Sequence, residues 1–317
     1  MTLLINLRPF GKRHDLRVRG AGGLPAGNPD GPGPAGAVAF VFQGGGSLAA
    51  AQVGMLRALL AAGLMPDLVI GASAGALNAV AFASDPTAAG LDRLEAVWRS
   101  LRRRDVAPLS ARTLLAAIGR GDGLVSNSAF AALLASAPIA STLDGTLIPA
   151  HVVVTELASG AAVVLSDGPT VPALLGSCAF PGLFPPVQVG PRLVLDGGVS
   201  ADVPVRQAAA LGAQVSYVLP AAAYGTGQPL PRGPMRLAFR ALGQVLDSVA
   251  RNDVAAAGGP VHVLPAPVSE ATSPVDFRDT ARLIDEGYQL AADWLAARPE
   301  PDGATAALSS PSLSAAR

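Results

Sequence analysis

Between Ala37 and Ser84 one order of segments occurs twice: an apolar run, a break made of small residues, then a helical pattern. "AVAFVF" (37–42) leads into Gln43-Gly44-Gly45-Gly46 and then into "SLAAAQVGMLRALLAAG", where Leu48, Met55, Leu56, Leu59 and Leu60 recur near helical spacing and Gly63 ends the pattern. "DLVIG" (67–71) is the second apolar run, and "SAGALNAVAFAS" (73–84) the second helix. Two buried strands joined through a helix pair in parallel, because a tight hairpin turn cannot connect parallel neighbours. The first fifty ordered residues therefore predict β–α–β–α and an α/β class, a parallel sheet flanked by helices.

The rest of the chain extends this pattern. Helices are expected over "GLDRLEAVWRSLRR", "LSARTLLAAIG" and "NSAFAALLASAP", and a hairpin over "AHVVVTELASGAAVVLS" around its Ala-Ser-Gly turn. "PTVPALLGSCAF" reads as a short helix entering the rigid turn "PGLFPP", and "VQVGPRLVLDGG" as a strand pair ending at Asp196. A helix over "VPVRQAAALGA", a strand over "QVSYVLP", a long helix from about Met235 to Asn252, a strand over "PVHVLP" and a helix from about Asp279 to Ala297 complete the series. One domain is expected over residues 37–298. Residues 1–36, rich in Gly, Pro and Arg, read as a disordered leader, and 299–317 as a disordered tail.

Composition removes several function classes. The chain has 23 basic and 23 acidic residues, so it lacks the basic excess a nucleic-acid partner requires. Its single cysteine, Cys178, precludes an intramolecular disulfide and any Cys-rich zinc site, and no metal or organic cofactor is expected. Half the residues are apolar, but the longest uncharged run, Gly31 to Leu56, holds "GPGPAG" and "GGG", and Gly168 to Pro191 carries six prolines. Neither suits a membrane-spanning helix. The N-terminus lacks the order of a secretory signal. A cytoplasmic location is expected, with a basic leader suited to peripheral membrane contact. Arg102-Arg103-Arg104 reads as a solvated helix end, the alternative being a phosphate or headgroup contact.

The chemistry concentrates at the two breaks. Gly71-Ala72-Ser73-Ala74-Gly75 fits G-x-S-x-G, the turn from strand to helix that exposes a serine nucleophile. Its glycines leave room for the two arms, and the helix that follows aims N–H groups at a developing negative charge. The alternative is that Ser73 merely caps the helix. A serine nucleophile needs a base, yet His14, His151 and His262 all lie outside any segment that reads as an active-site loop, and His151 and His262 read as packed strand residues. Gly44, Gly45 and Gly46 can turn backbone N–H groups toward an anion, as an oxyanion hole or as a dinucleotide loop. The dinucleotide reading wants an acidic residue at the end of strand two; Asp67 stands at its start. Asp196-Gly197-Gly198, by itself, could be an ordinary turn. Cys178 reads as a core thiol, and Trp98 and Trp294 as packing residues on helical stripes.

Taken together, the glycine loop after strand one, G-x-S-x-G after strand two and the later Asp-Gly-Gly resemble the patatin-like phospholipase family over about residues 37–210. Gln52, Gly54, "SCAFPGLFPPV" (177–187) and "DGGVSADVP" (196–204) also resemble that family's pattern. The resemblance implies a three-layer α/β/α fold with a central, mostly parallel sheet. It implies a Ser73–Asp196 dyad working without histidine, an oxyanion hole at Gly44-Gly45-Gly46, and motif glycines at Gly71, Gly75, Gly197 and Gly198. The implied substrate is a lipid or other acyl ester. Two positions depart from the pattern: Leu48 and Ala49 stand where the family often has Arg and Gly, and Asp202 where an asparagine is common. Leu48 and Ala49 would also suit a non-catalytic lipid-binding protein on the same fold, whereas intact Ser73 and Asp196 favour a hydrolase.

Overall fold

In the computed structural model the alternation of apolar residues along β1 (Val38–Phe42) sets the layering. Phe40 and Phe42 point into one hydrophobic cluster, Ala39 and Val41 into another. The first cluster is closed by α1 (Ala51–Ala61), α2 (Ala74–Ser84), α3 (Ala88–Ser100), α5 (Ser128–Ser136), α6 (Thr170–Ser177) and α10 (Thr280–Ala296). The second is closed by α7 (Gly198–Ala201), α8 (Val205–Ala210) and α9 (Pro234–Ala255). The result is the three-layer α/β/α arrangement that the patatin-like resemblance implies, built on the parallel sheet that the alternating strands and helices predict. A one-turn α4 (Arg103–Val106) follows α3. The structure describes residues 36–108, 124–224, 234–269 and 273–297. The expected helix "LSARTLLAAIG" lies outside them, as do the leader up to residue 35 and the tail.

The sheet runs β5-β6-β3-β2-β1-β7-β9, with β4 beside β3. It is parallel through β3 (Ala150–Glu156), β2 (Leu68–Ala72), β1, β7 (Val215–Leu219) and β9 (Val261–Val263). It is antiparallel where β3 meets β4 (Ala162–Leu165) and β6 (Arg192–Asp196), and where β6 meets β5 (Val187–Val189). A separate two-stranded sheet pairs β8 (Ala223–Tyr224) with β10 (Val268–Ser269), a contact that such short segments do not announce in sequence.

The register of β3 positions the site. On β3, Val152 and Val153 pair with β2 on one side and β4 on the other; Val154 and Thr155 pair with β4 and with β6. Since β4 keeps its side, β6 must lie on the side of β2, continuing where β2 stops. Ala72 is opposite Val153 and Asp196 is opposite Val154, so the ends of β2 and β6 meet on consecutive rungs. The segments after β1 and β2 emerge at the same end of the parallel strands, beside the point where the chain order reverses between β2 and β7, the usual crevice of an open α/β sheet.

Candidate active site

Ser73 occupies the single residue between β2 and α2, with φ 52° and ψ −131°. Among the described residues it is the only non-glycine with positive φ. Such a conformation costs about 1–3 kcal/mol and persists only where the surroundings enforce it. They do so here. A Cβ on Gly71 would lie 2.6 Å from the Gly75 carbonyl carbon, and one on Gly75 would lie 2.5 Å from the Phe42 carbonyl oxygen, so only glycines let strand, turn and helix come this close. The Ser73 N–H donates to Ser177 Oγ at 2.9 Å, and Ser177 donates in turn to the Val153 carbonyl at 2.6 Å.

The Ser73 hydroxyl donates to Asp196 Oδ2 at 2.6 Å, across 123 positions of sequence. The other carboxyl oxygen accepts the Gly198 N–H at 2.8 Å, while Gly197 crosses over Val153. Asp196 is only 3% exposed. Burial pushes its carboxyl up to about 7, and the hydrogen bonds from Ser73 and Gly198 work against that rise. Cys178 is buried here too, close enough to Ser73 and Asp196 to feel both. Burial and then the nearby Asp196 push its thiol well up, so it stays protonated. It is therefore a core thiol, as its apolar neighbours indicate, but one that lines the serine.

The glycine loop passes directly beside Ser73. A Cβ on Gly44 would sit 2.5 Å from Asp202 Oδ1 and 3.3 Å from Ser73 Cβ. The Gly44 N–H bonds the Asp202 carbonyl at 3.2 Å. Gly45 and Gly46 have φ of 155° and 57°, and no hydrogen bond from either N–H reaches another described residue. The next N–H, of Ser47, donates to the Pro274 carbonyl at 2.7 Å. The loop is pinned from behind by a buried neutral chain. Gln52 Nε2 donates to the carbonyls of Gln43 (2.7 Å) and Leu219 (3.0 Å). Asn78 Nδ2 donates to the Ala49 carbonyl (2.9 Å) and to Gln52 Oε1 (2.8 Å), and Trp98 Nε1 donates to Asn78 Oδ1 at 2.7 Å.

A family model for patatin-like phospholipases matches residues 40–209, more than half of the 317 residues. The chain belongs to the patatin-like phospholipase family. Patatin-like phospholipase domain-containing protein 7 of Rattus norvegicus is 26% identical over 181 residues, 56% of this chain and 13% of that protein. An NTE family protein of Mycobacterium tuberculosis is 28% identical over 183 residues, 57% of this chain and 48% of its own length. The chain thus spans half or less of the length of these relatives. The crystal structure of VipD from Legionella pneumophila aligns with a TM-score of 0.45 at 16% identity, over 91% of this chain and 71% of that one.

The two departures from the patatin-like pattern fall into different surroundings. Leu48 and Ala49 are buried in the core cluster beneath the loop, where Leu48 offers its carbonyl to the Ala222 N–H at 3.1 Å. Asp202 is buried next to Asp196 itself. His151 bonds Ser166 Oγ at 2.8 Å, and His262 packs on Tyr217 at 5.0 Å between ring centroids; His14 lies outside the described residues. Asp67 accepts the Val38 N–H at 2.7 Å, a structural contact at the start of β2. Arg102 hydrogen-bonds the Arg99, Ser100 and Leu101 carbonyls, the helix-end role read from the basic run. Among the described residues no cluster of His, Cys, Asp and Glu could hold a metal ion, and no helix is long and apolar enough to cross a membrane. A groove of about 300 Å³ between α1 and α10, lined by Ala58, Tyr288 and Leu295 among others, contains none of the site residues.

Proposed function

We propose that the chain is a serine acyl hydrolase acting on lipid acyl esters through a Ser73–Asp196 dyad. The observation that carries this is the 2.6 Å hydrogen bond from the strained Ser73 to a buried carboxylate. In this mechanism Asp196 accepts the Ser73 proton as Oγ attacks the ester carbonyl. The negative charge that develops on the carbonyl oxygen is held by the N–H groups of Gly45 and Gly46, aided by the N-terminus of α2. Asp196 then protonates the leaving alcohol. An acyl group remains on Ser73 until water, deprotonated by Asp196, releases the fatty acid and regenerates the serine.

Burial makes a carboxylate a usable base here. A group raised to about 7 is far more basic than an exposed aspartate, and the work of the imidazole in a Ser-His-Asp triad falls to a single residue. Cys178 keeps its proton and presents a polarisable, apolar wall. Family membership supports the lipid substrate class. Peripheral contact with a lipid surface, proposed from the basic leader, would bring that substrate to the site.

The test is covalent labelling. A fluorophosphonate probe should tag the wild-type protein on the Ser73 peptide and leave folded Ser73→Ala untouched. During turnover of a slow ester an acyl adduct should be trapped on the same peptide. Labelling that persists in Ser73→Ala, or turnover without an adduct, would sink the dyad.

A further inference from the structure

The reaction as drawn uses one buried carboxyl group, but the site holds two. Asp202 follows α7, six positions after Asp196, and is 6% exposed. Its side chain is wedged between the two loops that serve the reaction. Oδ1 lies 2.5 Å from where a Gly44 Cβ would stand and 2.8 Å from the corresponding position on Gly198. Its carbonyl accepts the Gly44 N–H at 3.2 Å, and Oδ2 accepts Gln43 Nε2 at 2.8 Å. The Gln43 amide has one orientation available, because its Oε1 is taken by the Ala221 N–H at 3.1 Å and its NH2 must therefore face Asp202.

Two neighbouring carboxyl groups in a dry site do not both ionise cheaply; one keeps a proton. The donors around them bias its place without fixing it. Asp196 receives two, from Ser73 and Gly198, whereas the Asp202 carboxyl receives one among the described residues, from Gln43. Among the described residues the charged groups that bear on Asp202 are acidic: Asp196 on the β6 turn, and Asp247 and Asp253 on α9. Asp253 in turn engages Arg206 on α8 at 3.8 Å. Burial first, and then these carboxylates, push Asp202 up to about 7, like its neighbour.

We propose that Asp202 is a positioning residue for the hydrolase reaction: its carboxyl group latches the glycine loop to the Asp196 turn, and below neutrality it shares with Asp196 the one proton the pair keeps. This rests on the acyl-hydrolase function proposed above. As long as Asp202 competes for the single negative charge, Asp196 is only partly available, and the acid limb of the rate profile is shallower and lies higher than a lone Asp196 would produce.

Asp202→Asn tests this directly, because the amide oxygen still accepts from Gln43 while the group can no longer ionise. The pH dependence of kcat/KM on a soluble ester should keep its plateau within about threefold of wild type. Its acid limb should steepen to a single ionisation and move down by about one pH unit. Asp202→Ala, which removes the bond from Gln43 and the carboxyl wedged between the loops, should lose about 100-fold at every pH. An Asp202→Asn profile that superimposes on wild type would overturn the proposal, as would a folded Asp202→Ala that behaves like Asp202→Asn. A carboxyl carbon-13 titration of Asp196 in both proteins reads the coupling without turnover. If the wild-type protein neither labels nor hydrolyses, the hydrolase function falls. A downward shift of the Asp196 titration in Asp202→Asn would still establish the coupling, and an unmoved titration would refute it.

Discussion

The glycine loop is held between two buried polar groups of opposite character. On the α1–α3 side stands the chain Trp98–Asn78–Gln52, neutral throughout, with donors and acceptors matched to one another and to the carbonyls of Gln43, Ala49 and Leu219. On the α7–α9 side stand Asp196 and Asp202, each as deeply buried but ionisable. A neutral network that is fully satisfied costs little to bury and fixes geometry at any pH. A carboxyl pair is expensive to bury, and its charge state changes near neutrality. The loop thus has one wall suited to holding and one suited to reacting.

Removing the reacting wall should have the largest effect. Ser73→Ala and Asp196→Asn are each expected to lower kcat/KM by about 10⁴-fold, measured on a soluble ester with both proteins shown to be folded. The next effect is on stability. Burial holds the Asp196–Asp202 pair near 7 in the folded protein against 3.8 when unfolded, so between those values the folded state binds more protons. Stability therefore falls as pH rises from about 4 to about 7 and levels off above, by roughly 4 kcal/mol for one carboxyl raised that far. Urea melts at pH 4 and pH 8 should show Asp196→Asn relieved of that loss, and hence more stable than wild type at pH 8.

The holding wall should respond differently. Asn78→Leu strips Trp98, Gln52 and the Ala49 carbonyl of partners at once and is expected to cost about 3 kcal/mol, equally at pH 6 and pH 8. A cost that varied with pH would erase the contrast between the walls. The smallest change is Trp98→Phe, which keeps most of the ring and removes one donor to Asn78. About 1 kcal/mol should be lost in chemical denaturation, with the midpoint of the pH–rate profile unmoved.

Local order was legible wherever it depends on neighbours in sequence. The β–α–β–α opening, the Val-rich hairpin, the elbow glycines and the helix break at Gly63 all follow from spacing and from residues with special backbone needs. The pairing of Ser73 with Asp196 was not legible from spacing, since 123 residues separate them; there a resemblance to a family supplied the partner. What no local pattern carried was the register on β3, the arrival of Cys178 beside Ser73, and the use of the Gly44 N–H by Asp202. Each depends on how distant segments align once packed. Asp202 was noticed only as a departure from a pattern; its burial between two loops gives that departure physical content. The Trp98 indole read as simple packing, because a buried donor looks no different in sequence from a buried ring.

The two rungs of β3 have a further consequence. Serine and carboxylate are not brought together by two lobes closing on each other; both are measured off along the same short length of backbone, one peptide apart. Such an arrangement behaves like two fittings bolted to a common rail. Breathing of the helices, bending of the sheet or the arrival of a bulky acyl chain displaces both fittings together and leaves their spacing intact. The vulnerable dimension is along the rail. One residue inserted between Val153 and Val154 would turn one fitting to the opposite face and separate the pair, while every helix kept its place.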